Sequence, residues 1–113
     1  MPARGAVLRH HPGVVDDAER WYREHPKVSV ILPDQPQGDW RAEEGYGWIA
    51  KIWFRTWADS RAAVSFIRDE GWEPRFWGRK VRVGIKDGFD GQRLAETVLE
   101  RWPDLRKIQL RCD

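Results

Sequence analysis

The side chains able to do covalent or acid–base chemistry are few in this 113-residue chain, and their spacing does not assemble a site. Cys112 is the one cysteine. It falls on the inward phase of a terminal strand, where a thiol reads as a buried structural group rather than a nucleophile. The histidines are His10, His11 and His25. The first two are adjacent, without the i, i+4 spacing of a helical metal pair. The third sits at a helix end, where a cation interacts favourably with the helix dipole. Carboxylates pair at Asp16-Asp17, Glu43-Glu44 and Asp87…Asp90. The segment Asp87-Gly88-Phe89-Asp90-Gly91 lacks the further oxygen ligands of a calcium loop and reads as a turn followed by a helix cap at Asp90. No glycine-rich phosphate loop and no Gly-x-Ser-x-Gly elbow occurs. A non-enzymatic protein without metal or cofactor is therefore expected.

The groups that remain are cations and indoles. The sequence holds eight tryptophans. Rings of this size build cores, and where exposed they anchor partners. Net charge is only +2, yet residues 1–44 carry −2, residues 45–86 carry +5 and residues 87–113 carry −1. An anionic partner is expected to dock on the middle of the chain. There the cations alternate with apolar residues in two runs, Lys51, Trp53, Arg55 and Lys80, Arg82, Lys86.

Alternation of period two identifies strands, so these runs define sheet faces. Tyr46–Arg55 reads as a strand with Trp48, Ala50, Ile52 and Phe54 on one side and Ile49, Lys51, Trp53 and Arg55 on the other. Arg79–Lys86 sets Val81, Val83 and Ile85 against Lys80, Arg82 and Lys86. Lys107–Cys112 sets Ile108, Leu110 and Cys112 against Lys107, Gln109 and Arg111. Between them, Thr56 caps a helix that stops at Gly71, with Ala63, Phe66 and Ile67 inward. Trp72–Trp77 contains Pro74 and so reads as an edge strand. A second helix carries Leu94, Ala95, Val98, Leu99 and Trp102 and closes at Pro103.

The fold class expected is α+β. From Tyr46 onward the order is strand–helix–strand–strand–helix–strand, a ferredoxin-like βαββαβ unit over about residues 46–112. An extra helix, Pro12–Glu24, and an extra strand, Lys27–Leu32, precede it. The chain is expected to form a single α+β domain, with residues 1–11 a flexible lead-in. Hydrophobic residues at 41% and charged residues at 34% fit a globular chain rather than a disordered one. No apolar run approaches the ~20 residues of a membrane span, and Met1–Leu8 has no apolar signal core. A cytoplasmic setting is expected.

If the helices cover one sheet face, the other presents Lys51, Trp53, Arg55, Lys80, Arg82, Lys86, Lys107 and Arg111, with the last two on an edge strand. None of the eight is acidic. Such a face suits a phosphate backbone with a base stacked on the ring. Lysines are also ordinary on solvated strands, and an acidic protein surface would make the same demand on them. The topology resembles that of RNA recognition motifs, but Arg79–Lys86 lacks their aromatic residues, so membership in that family is not implied. The long segment Pro33–Gly45 offers a second candidate contact in Trp40 and Arg41, as a protein-interface anchor or as a ring folded over the core. The function expected is binding of nucleic acid through the basic, Trp-bearing face. The alternative is an adaptor or inhibitor docking on an acidic protein.

Overall fold

The computed structural model describes residues 12–31 and 47–112. It is an α+β structure of three helices and five strands: α1 (Pro12–Glu24), β1 (Val28–Ile31), β2 (Trp48–Trp53), α2 (Trp57–Asp69), β3 (Glu73–Trp77), β4 (Lys80–Ile85), α3 (Gly88–Arg101) and β5 (Lys107–Cys112). The strands form one mixed sheet in the order β1-β5-β2-β4-β3. β1 runs parallel to β5, and every other neighbouring pair is antiparallel. Among the described residues, no helix is long and apolar enough to cross a membrane.

The register aligns the alternating residues across the sheet. Ile52 of β2 lies opposite Val81 on one side and Ile108 on the other, and Ala50 lies between Val83 and Leu110. All six are fully buried. With Val28 of β1 they form the floor of the core, which α2 and α3 cover with Ala63, Ile67, Leu94, Ala95 and Val98. Fully burying one such aliphatic side chain contributes roughly 1.5–3 kcal/mol, so this face fixes the sheet against the helices. Phe54, Trp102 and Phe66 close one end of the core edge to face, with ring centroids 5.7 and 5.4 Å apart.

The extra N-terminal helix joins the helical layer. Trp21 and Tyr22 of α1 pack against the core, and the Trp21 indole N–H donates to Glu96 of α3 at 2.6 Å. Burial pushes the Tyr22 phenol above its ordinary value, partly offset by a hydrogen bond with Gln92 of α3. His25, just past the helix, stacks on Trp21 at 4.1 Å, and its Nδ1–H donates to the Trp21 carbonyl. β1 then pairs with β5, so β5 is an interior strand rather than the edge expected from the order of elements. β3 is an edge, where Pro74 is tolerated because one side of the strand has no ladder to donate to.

Local chemistry sets the joints. The Thr56 hydroxyl accepts from the Asp59 N–H and caps α2. Gly71 ends that helix at φ 108°, a left-handed conformation suited to glycine. Gly78, at φ 64°, opens the two-residue β3–β4 turn. α3 begins earlier than expected: Asp87 is its cap, accepting from the Asp90 N–H at 2.8 Å, and Asp90 lies inside the first turn. The buried Ser60 hydroxyl lies 2.7 Å from the Gly78 carbonyl and 2.9 Å from that of Trp57, tying α2 to the hairpin turn.

Gly91 lets α3 approach the sheet. A Cβ there would come within 2.8 Å of Ile85 Cδ1 and 3.0 Å of both Leu110 methyls. Gly91→Val is expected to destabilise the fold by about 3 kcal/mol through overpacking. Gly88→Ala, whose Cβ would meet the Trp48 ring at an ordinary 3.5 Å, is expected to stay within about 0.5 kcal/mol of the parent. Urea unfolding of the two variants measures the contrast.

Candidate binding face

The sheet side opposite the helices is built by the register. Where Ile52, Val81 and Ile108 turn inward, their neighbours turn outward in rows across the strands. One row is Trp77, Lys80, Trp53 and Lys107, reading from β3 through β4 and β2 to β5. The next is Arg75, Arg82, Lys51, Gln109 and Ser29, now reaching β1. The third is Glu73, Gly84, Ile49, Arg111 and Ile31. Among the described residues, no helix lies on this side.

The first row alternates indole and ammonium. Lys107 Nζ lies 4.6 Å from the centre of the Trp53 ring, and Lys80 Nζ lies 5.6 Å from Trp53 and 5.9 Å from Trp77. Each contact is a cation–π attraction of about 0.5–1 kcal/mol at an exposed site. The lysines flank Trp53, which is half-buried, whereas Trp77 is 64% exposed. Trp77 is thus the more open of the two rings in this row. In the second row three cations, Arg75, Arg82 and Lys51, stand directly opposite one another on consecutive strands. Like charges so paired are unfavourable by about 0.2–1 kcal/mol per pair, a cost that an anion lying across them would reverse.

Six of the residues singled out by sequence share this face: Lys51, Trp53, Lys80, Arg82, Lys107 and Arg111. Lys51, Arg82 and Arg111 are half-buried. Arg55 and Lys86 lie just beyond the ends of their strands. The Arg55 Nε–H donates to the Asp104 carbonyl at 2.6 Å and is directed to the α3–β5 connection. Lys86 is exposed at the β4–α3 junction. Trp40 and Arg41 lie outside the described residues. The face also holds Arg75, Trp77 and Glu73, which alternation alone did not reveal. Phe76 and Trp77 are adjacent rings, and only pairing with β4 shows which one faces the cations. Phe76 instead turns to the helical side, edge-on to Trp57 at 6.0 Å.

At the end of the sheet, Asp90 organises the border of this face. Its carboxylate accepts from the Lys86 backbone N–H at 2.9 Å, from Arg93 at 2.9 Å and from the Trp72 indole N–H at 3.3 Å. The Arg93 guanidinium lies 4.3 Å from the centre of the Trp72 ring. Burial alone would raise the Asp90 pKa, but these three donors and the Arg93 charge outweigh it and hold the carboxyl below its ordinary 3.8. A carboxylate so tied is a structural acceptor, not a free base. Cys112 is buried. Among the described residues, no three His, Cys, Asp or Glu side chains gather as a metal site.

Because folding lowers the Asp90 pKa, its contribution to stability is present above 3.8 and is lost as pH falls through the lower folded value. Asp90→Asn is expected to flatten this acid limb in urea melts taken across that range. Asp90→Ala, which leaves the Trp72 indole N–H without its acceptor, should cost about 2 kcal/mol at neutral pH. No protein-family model, curated protein or solved structure matches the chain, so the functional reading rests on this geometry.

Proposed function

We propose that the protein is a small non-enzymatic binding module that holds single-stranded nucleic acid on its exposed sheet face, and that β2 to β5 with α2 and α3 form a ferredoxin-like split βαβ unit. The order β5-β2-β4-β3, with β2 and β4 central among these four, supports the architectural part. The functional part is carried by one observation: the Trp77–Lys80–Trp53–Lys107 row lies beside the Arg75–Arg82–Lys51 row. Rings supply stacking surfaces that any base accepts, and the adjacent cations follow a phosphate chain. Tying up Asp90 and burying Cys112 supports a non-catalytic reading.

An acidic protein partner would also be attracted to this face. The alternation of indole and ammonium favours nucleic acid, because an extended strand presents bases and phosphates in the same alternating order. Binding of an oligonucleotide of about eight residues is expected to weaken steeply with salt, since displaced counterions drive association. Trp77→Ala should weaken it by about 1–3 kcal/mol. Replacing Lys51, Arg82 and Lys86 together with glutamate should abolish binding while the circular dichroism spectrum stays that of the parent. Fluorescence anisotropy in a salt series measures all three. Oligonucleotide binding only at the lowest salt, with a stoichiometric protein recovered after nuclease treatment, would instead favour the protein partner.

A further inference from the structure

Gly84 is out of place in β4. It is an interior strand residue, between Glu73 on β3 and Ile49 on β2, in the run Lys80-Val81-Arg82-Val83-Gly84-Ile85. Glycine weakens a strand interior, because it orders a freer backbone and gives its neighbours no side chain to pack on. Gly71 and Gly78 have positive φ, and a Cβ at Gly91 would press on Ile85 and Leu110. Gly84 has neither reason. Its φ is not positive, and among the described residues nothing lies within 4 Å of a Cβ built there.

The space it leaves belongs to a shallow groove of about 800 Å³ that runs from Trp77 past Arg75 and Arg82, over Gly84, to Lys86 and Arg93. Same-face residues on a strand are about 7 Å apart, so the groove leads from the exposed ring along a file of cations with a bare stretch of backbone in its floor. Two carboxylates border it. Asp90 is paired with Arg93 at 2.9 Å, and Glu73 stands exposed on the outer strand.

We infer that Gly84 is a close-approach subsite for the sugar–phosphate backbone of a nucleic-acid strand whose base stacks on Trp77, with Arg75, Arg82 and Lys86 meeting the phosphates. This rests on the nucleic-acid reading above and adds where the strand runs. The missing side chain lets the backbone come down to the sheet, so that the flanking guanidinium and ammonium groups reach phosphate oxygens from both sides. A branched residue at position 84 would stand in the strand's path.

Gly84→Val should raise the melting temperature by roughly 3–5 °C, because a β-branched residue suits a strand and meets no obstacle. The same substitution should weaken binding of a labelled oligothymidylate by roughly tenfold, with the salt slope unchanged because no charge is altered. In the parent protein, titration with the oligothymidylate should shift the Gly84 amide resonance along with the Trp77 indole. Parent and Gly84→Val binding equally well would overturn the inference and leave the nucleic-acid reading standing. An unmoved Gly84 amide at saturation would do the same, whatever the stability of the variant. If the parent binds no oligonucleotide at all, both readings fall.

Discussion

The position of β2 between β4 and β5 is the constraint on which the rest of the molecule depends. Ile52 and Ala50 can be buried only if Val81, Val83, Ile108 and Leu110 turn inward beside them, and that choice turns Lys51, Trp53, Lys80, Arg82, Lys107 and Arg111 outward. A slip of one residue would exchange the two sets. It would drive six side chains, five of them cationic, beneath the helices, where an unpaired charge costs several kcal/mol, and expose the aliphatic floor of the core. The hydrophobic face therefore specifies the basic face. The cations need no mutual attraction to be gathered; they are gathered by the exclusion of charge from the other side.

The edge strand is held by a different kind of interaction. β3 pairs only with β4, so its position depends on the groups at its two ends. At one end the Ser60 hydroxyl binds the Gly78 carbonyl of the turn. At the other, Trp72 is packed into the core, its indole N–H bound to Asp90 and its face covered by Arg93. With both ends fixed, Trp77 stands exposed on one side of the sheet and Phe76 meets Trp57 on the other. The most exposed indole on the basic face is thus carried by an edge strand whose two ends are held by polar contacts.

Three features of this side oppose stability: like charges opposite one another, a large exposed indole, and a glycine in an interior strand without steric cause. Each is small, on the order of 1 kcal/mol or less. All three lie on the β3–β4 part of one face. A ligand that brings negative charge and planar rings would relieve the first two and use the space of the third, which is the common physical basis of the two functional proposals.

Alternation and punctuation in the sequence determined the elements themselves. The period-two runs, the Thr56 cap, the stops at Gly71 and Pro103, and the confinement of Pro74 to an edge follow from backbone sterics and hydrogen-bond supply, which are local. So does the division of β2, β4 and β5 into apolar and cationic sides. Tertiary structure decided what depends on neighbours. The parallel pairing of β1 made β5 interior, because a crossover partner distant in sequence leaves no local trace. The register of β3 against β4 assigned Trp77, Arg75 and Glu73 to the basic face and Phe76 away from it, since two adjacent rings satisfy either phase equally. The capping role passed from Asp90 to Asp87 because Asp90 is drawn to Trp72, Arg93 and the Lys86 N–H, groups that only the folded chain brings around it. Whether Gly84 is needed by the fold was also a tertiary matter, because a glycine's reason lies in the space around its missing side chain.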